Sequence, residues 1–336
     1  MSQKKSLPAN RPKSRPKSQS VAILGAKGRM GRQAVTAFIK AGWQVKAVAR
    51  EWPDALKDQD AVHIECDARD EQALHQAVIG CQVIVNAVNP PYHHWAKQMP
   101  ALTKSVISAA KAEGATVIIP ANIYVFGEKM PPMLNERTPH LAVNTLGLLR
   151  REMEQAYRDA GVRTILLRAG DFLEGRKTGN WFDGFMSTGL AGGKLVYPGP
   201  LDQQHTWAYL PDVARAVVAL ADKRDQLQTF EDVGFPGYSM TGQQMLELLS
   251  GIMGRTLKVG TIPWWLLKAM GLFVPSIRGV VEMSYLWRTP HTIEAAKFQW
   301  LLPDFLETPA KEAFTAVVEE LLNSGGQKGL QANQAA

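Results

Sequence analysis

The sequence is poor in cysteine: its 336 residues include two, Cys66 and Cys81. Neither has a partner at metal-ligand spacing. This argues against a disulfide scaffold, gives no reason to expect a metal, and suits a reducing, cytoplasmic compartment. Long apolar runs are also missing. The most apolar stretch, Pro263 to Phe273 (PWWLLKAMGLF), falls far short of the roughly 20 residues that span a bilayer. It is expected to be a lid packed on its own domain rather than a helix lying on a membrane. Acids are absent from residues 1–20, which carry Lys4, Lys5, Arg11, Lys13, Arg15 and Lys17 among Pro8, Pro12 and Pro16. The formal net charge is +7, and without these six cations the remainder is about +1. The basic character therefore belongs to a tail expected to be disordered, and no specific nucleic-acid partner is implied. That tail lacks the apolar core of a secretory signal. Residues 324–336 read as a second loose tail.

What is present is a strand, a glycine loop and a helix in immediate succession. Val21 to Leu24 is apolar and runs into Gly25, Gly28 and Gly31. Met30, Ala34, Ala37, Phe38 and Ala41 then recur with helical spacing. In a dinucleotide-binding unit the first glycine turns the chain, the second lets backbone approach a pyrophosphate, and the third lets helix and sheet pack closely. The helix N-terminus adds unpaired N–H groups and a positive partial charge. Gly25, Lys27, Gly28, Arg29, Met30 and Gly31 are thus candidate cofactor contacts. Gln44 to Ala49 reads as the second strand, and Arg50 follows it. An acid there suits the ribose hydroxyls of NAD, whereas a guanidinium suits the 2′-phosphate of NADP. NADP(H) is therefore expected over NAD(H), with Lys27, Arg29 and Arg32 adding positive charge.

The alternation continues. A third strand, Ala61 to Glu65, delivers Asp67 and Ala68 to the adenine end, and Asp70 is placed to cap a helix over Glu71–Val78. A fourth strand, Gln82 to Val88, carries Ala87 and Val88 and leads to Asn89 beneath the cofactor. His93 and His94 lack a metal motif and read as a polar helix start. A long helix ends at Gly114, and Thr116 to Pro120 is the fifth strand. Leu141 to Ala160 is helical up to Gly161, and Arg163 to Arg168 is the sixth strand. This order predicts an α/β fold, a doubly wound parallel sheet with ligands at the strand carboxyl ends. The glycine- and aromatic-rich stretch 170–200 reads as irregular, pocket-building structure. Residues 21–168 plus about 205–234 are expected to form the nucleotide domain. About 169–204 and 235–323 would form a smaller substrate-binding part, in which Thr241 caps a helix from Gln243 to Met253.

GAKGRMG, CQVIVNAV, ANIYVFG and WAYLPDVARAVVAL together resemble the extended short-chain dehydrogenase/reductase superfamily, of the NAD(P)-dependent epimerase/dehydratase type, over about Val21 to Leu322. The resemblance implies an oxidoreductase or epimerase acting on a small carbonyl or hydroxyl substrate, and a homodimer is compatible with it. The family's catalytic unit is Ser/Thr followed by Tyr-x-x-x-Lys. Here Asn122 falls at the serine place, Leu146 at the tyrosine place and Arg150 at the lysine place. Leucine has no proton to give, and arginine does not titrate near neutrality. Tyr124 is the substitute proton donor this reading favours, with Asn122 polarising a carbonyl and Arg150 holding a ribose. If the segment stays extended, Asn122 and Tyr124 face the same way. The competing reading is an inactive NAD(P)H-binding sensor or scaffold.

Overall fold

The structure, a computed structural model, describes residues 19–52 and 60–334, with side chains to 323. The basic tail, up to residue 18, lies outside the described residues. Seven strands form the central sheet: β1 (Ser20–Leu24), β2 (Gln44–Ala49), β3 (Val62–Glu65), β4 (Val83–Asn86), β5 (Thr116–Ala121), β6 (Thr164–Arg168) and β7 (Phe230–Gly234). Their order is β7-β6-β5-β4-β1-β2-β3, all parallel. The order reverses between β1 and β4, which opens a crevice at their carboxyl ends.

Helices cover both faces. Helix α1 (Arg29–Lys40) buries Met30, Gly31, Ala34, Val35 and Phe38. α2 (Glu71–Val78) starts where Asp70 accepts from the Ala73 N–H at 3.0 Å. α3 (Trp95–Glu113) ends at Gly114 in the left-handed region, φ 63°, and α4 (Thr145–Asp159) stops before Gly161. α5 (Leu210–Lys223) packs with α1 on the face that also receives Phe298, Leu301 and Leu302. Residues 296–302, read as part of the substrate half, therefore serve the nucleotide half's core.

The second part is built on small sheets. Gln204–Tyr209 pairs with Asp171–Leu173 and Tyr238–Thr241, and Lys194–Tyr197 pairs with Lys258–Thr261. The stretch 170–200, read as irregular, contains regular strands, and Gln204–Tyr209 pairs in the smaller sheet while its Ala208 packs into the nucleotide half's core. α6 (Gly242–Met253) opens with a reciprocal capping box between Thr241 and Gln244, which satisfies two helix-end donors at once. α7 (Trp264–Gly271) and α8 (Pro275–Glu282) form a hairpin, and α9 (Ala310–Gln334) closes the chain. The backbone of α9 stays helical into the stretch read as a loose tail; once nucleated, a helix gains a hydrogen bond for each residue it adds. The apolar stretch expected to pack as a lid is mostly exposed: within α7 only Gly271 is buried. Among the described residues no helix is long and apolar enough to cross a membrane.

Candidate functional site

The glycine loop shows why each glycine stands where it does. Gly25 has φ +75°, closed to most side chains. Its N–H and that of Ala26 both donate to the Val48 carbonyl, at 2.9 and 3.1 Å. A Cβ at Gly31 would lie 2.1 Å from the Gly25 carbonyl oxygen, so α1 can rest on the loop only without one. Gly28, in extended conformation, precedes the first turn of α1. Beside this loop opens a cavity of about 970 Å³ running from the glycine turn into the second part of the molecule.

At one end the cavity is lined by Gly25, Lys27, Gly28, Arg29, Met30, Arg50, Asp67, Ala68, Ala87, Val88 and Asn89, so all the expected loop and strand-end contacts converge except Gly31, which is buried against Gly25 beneath the loop. Their side chains are already partly engaged. Lys27 pairs with Glu51 at 2.8 Å, both ends solvated. Asp67, expected to meet an adenine amino group, is gripped by Arg69, with Nε–Oδ1 2.9 Å and Nη2–Oδ2 2.5 Å. Those bonds hold the Asp67 carboxyl below its ordinary range, and the Arg50 charge acts in the same direction. Arg69 also lines the cavity; as a half-buried cation four residues past the end of β3, it carried no motif in the sequence. Arg29 and Arg32 do not stand free near the loop. Arg29 donates to the Asn180 side chain and, at 2.7 Å, to the Thr178 carbonyl. Arg32 donates to the Lys27 carbonyl at 2.9 Å and lies 3.7 Å from Glu174.

At the other end, β5 delivers Asn122 and Tyr124. The segment does not stay extended. Asn122 Oδ1 accepts the Tyr124 N–H at 3.1 Å, the chain turns, and Tyr124–Phe126 forms a 3-10 turn. An asparagine side chain that bonds backbone two residues on competes with strand geometry. Asn122 and Tyr124 nonetheless both line the cavity. With Oδ1 engaged, what Asn122 offers a ligand is its NH₂. The Tyr124 hydroxyl lies 2.7 Å from that of Tyr92. Burial, then the neighbouring Tyr92 and the Asp171 charge, push the Tyr124 phenol well above its ordinary pKa, so it stays protonated at neutral pH.

Helix α4 begins at Thr145, later than Leu141, and places Leu146 in the core and Arg150 on the cavity wall. Arg150 lies over the Trp95 ring at 4.5 Å and donates from Nη2 to Asn89 Oδ1 at 3.1 Å. Its Nε is buried without a partner. Tyr157, further along the helix, accepts from Asn86 at 3.3 Å inside the core. His93 and His94 form the 3-10 turn Tyr92–His94 that leads into α3.

Three cavity residues escaped the sequence reading. Asp171, three residues past the end of β6, receives His205 Nε2–H at 2.8 Å. His205 stacks on Trp287 at 4.2 Å and meets His291 edge-on. His291 Nδ1–H donates to the Thr289 carbonyl at 2.9 Å, so its bare lone pair is on Nε2, buried and unpartnered. Burial, then nearby His205, pull the His291 pKa down to about 3, so the ring is neutral. The one hint in sequence was the position of Asp171 near a strand's carboxyl end.

Residues 17–296 match the NmrA-like family. The chain belongs to that family. No curated protein matches it. Solved structures share its fold at low identity. UDP-glucose 4-epimerase from Thermotoga maritima, solved with UDP-glucose, is 14% identical with a TM-score of 0.73, covering 91% of this chain and 99% of its own. The UDP-Glc/GlcNAc 4-epimerase from Campylobacter jejuni is 15% identical with a TM-score of 0.70, covering 91% and 100%. dTDP-glucose 4,6-dehydratase from Bacillus anthracis, solved with NAD, is 13% identical with a TM-score of 0.71, covering 91% and 97%. The epimerase/dehydratase resemblance and the doubly wound α/β fold therefore stand.

Proposed function

We propose that this NmrA-like protein is an NADP(H)-dependent oxidoreductase or epimerase acting on a small carbonyl or hydroxyl compound. The observation that carries the reading is one continuous cavity with a glycine-loop end and a protic end. The fit to a dinucleotide rests on the loop itself: at Gly25 a side chain would crowd the backbone of Ala87 and Val88, and at Gly31 it would strike Gly25. Gly25, Gly28 and the first turn of α1 would hold a pyrophosphate. Arg50 and Arg69 would hold a 2′-phosphate, with Glu51 turned to Lys27. Asp67 and Ala68 would flank an adenine. Ala87, Val88 and Asn89 would underlie the nicotinamide half, with Arg150 at its ribose. A bound nicotinamide supplies or accepts a hydride.

The chain's own part is the proton. Tyr124 carries the hydroxyl hydrogen that a carbonyl oxygen would take as its carbon is reduced, and Tyr92, 2.7 Å behind it, can pass one forward. The Asn122 NH₂ can polarise the same oxygen. The Asp171 carboxylate and the bare Nε2 of His291 accept hydrogen bonds, which favours a substrate bearing hydroxyl groups. The cytoplasmic setting keeps the support of two free, buried thiols, Cys66 and Cys81.

Fluorescence titration with NADPH and NADH tests the cofactor; equal affinities, or no change on Arg50→Ala, refute the preference. NADPH consumption across a panel of carbonyl compounds tests the chemistry, and Tyr124→Phe should slow turnover roughly 100- to 10,000-fold. The second reading, an NADPH sensor or scaffold, draws support from the buried Leu146 at the family's tyrosine place. It prevails if NADPH binds tightly yet is never consumed.

A further inference from the structure

The α7–α8 hairpin has no role in the proposed chemistry, yet it exposes a run of large apolar side chains. Trp265 is 75% exposed, Leu272 72% and Phe273 85%, with Leu266, Met270 and Val274 beside them in the chain. Large apolar side chains clustered in solvent mark an interaction face. Its electrostatics are one-sided. From Leu248 to Val281 the sequence has no acid, whereas Arg255, Lys258, Lys268 and Arg278 are all exposed. The acid that ends the run, Glu282, is turned inward, accepting from the Asn144 side chain at 2.9 Å and the Leu146 N–H at 2.6 Å. A second copy seated hairpin to hairpin through a two-fold axis would bring the hairpin's cations against each other, with no carboxylate of the hairpin itself to meet them.

We infer that the α7–α8 hairpin seats the protein on an anionic lipid surface, with Trp265, Leu272 and Phe273 entering the headgroup–acyl boundary and Lys268 and Arg278 meeting lipid phosphates. Tryptophan is suited to that boundary, and an apolar face combined with cations is what interfacial helices use. The hairpin is anchored from behind. Gly279 of α8 lies so close to Tyr92 that a Cβ there would fall 2.6 Å from the Tyr92 Cβ, and Val280 lines the cavity. The seated face is therefore the outer side of a cavity wall, and a lipid-soluble compound would have a short path from bilayer to pocket.

The test is co-sedimentation of the full chain with vesicles of phosphatidylcholine alone and of phosphatidylcholine mixed with phosphatidylserine. Binding is expected to the mixed vesicles, weakening as salt is raised. Trp265→Ser and Phe273→Ser should each weaken it about tenfold or more, and Lys268→Gln and Arg278→Gln about fivefold each. Quenching of tryptophan emission by brominated lipid should fall in Trp265→Ser. A full chain with its six N-terminal cations changed to glutamine separates the tail from the hairpin. The inference is overturned if mixed vesicles do not bind the wild type, or if Trp265→Ser and Phe273→Ser bind like wild type while the tail variant does not. It is equally overturned if sedimentation shows a dimer that those two substitutions dissolve.

Discussion

Replacing Arg168 with methionine removes one buried cation from between two acids. The guanidinium reaches Glu154 Oε2 at 3.0 Å, Asp232 Oδ2 at 2.5 Å and the Asn122 carbonyl at 2.6 Å. Burial opposes its charge, but Asp232 and Glu154 more than compensate and hold its pKa above the ordinary guanidinium value. In Arg168→Met both carboxylates lose their guanidinium, leaving only His140, 3.8 Å from Glu154, as a group that could take up a compensating proton. Breaking a buried pair from one side costs about 3–5 kcal/mol, a fall of roughly 4–7 °C in Tm for a chain of this size. Thermal and urea unfolding measure it. Acidification should narrow the deficit, since protonating one of the two acids discharges the site. Zn²⁺ should raise the variant's Tm but not the wild type's, because His140, Glu154 and Asp232 offer ligand atoms within 4.8 Å of one another once the arginine is gone. Arg168→Met/Glu154→Gln/Asp232→Asn should regain much of the loss. A Tm for Arg168→Met within a degree or so of wild type, about the weight of a surface pair, would refute the reasoning.

Gly31→Ala should abolish NADPH binding and lower stability, because a Cβ placed 2.1 Å from the Gly25 carbonyl oxygen must push α1 off the loop; NADPH titration and thermal melts read both. Burial, then nearby Asp212, raise the Glu307 carboxyl to about 7. The folded state thus binds its proton more tightly than the unfolded chain, and the contribution present at low pH is lost as pH rises from the unfolded carboxylate range through 7. Glu307→Gln should flatten that part of the Tm–pH curve, and an unchanged curve would discard the assignment. Burial, then Asp70, push the Cys66 thiol up to about 11, so iodoacetamide should label it slowly at neutral pH. NADPH should slow labelling further, since Cys66 lines the cavity at the proposed adenine end.

Much of the nucleotide half was legible because its signals are local. The strand Gln44–Ala49 and the helix Glu71–Val78 fall at the expected residues, the first bounded by a polar strand start and an arginine, the second by its aspartate cap. The glycine loop was readable because its three glycines answer to distinct steric needs. The condition placed on the ANIYVFG segment, that it stay extended, fails because a single side chain decides it: the bond from the Tyr124 N–H to Asn122 Oδ1 turns the chain into a 3-10 turn. Arg168 was read as the end of a strand, and nothing local shows that Glu154 and Asp232 converge on it from a helix and a neighbouring strand. Asp171 and His205 are 34 residues apart and meet only through the pairing of two short strands. The exposure of Trp265 and Phe273 was hidden for the opposite reason, since apolar composition alone argues for burial.

The two arginines of α1 give the loop a reach beyond its own domain. Arg29 holds Thr178 and Asn180, and Arg32 faces Glu174, so the helix proposed to receive the phosphates also grips the rim of the substrate half. A dinucleotide held by the loop would therefore bear on the rim of the substrate half through one helix. Linkage then makes the effect mutual: whatever factor the dinucleotide adds to substrate affinity, the substrate must return to the dinucleotide. Cutting both Arg29 and Arg32 back to alanine should weaken that mutual effect, read as a smaller change of NADPH affinity on adding substrate.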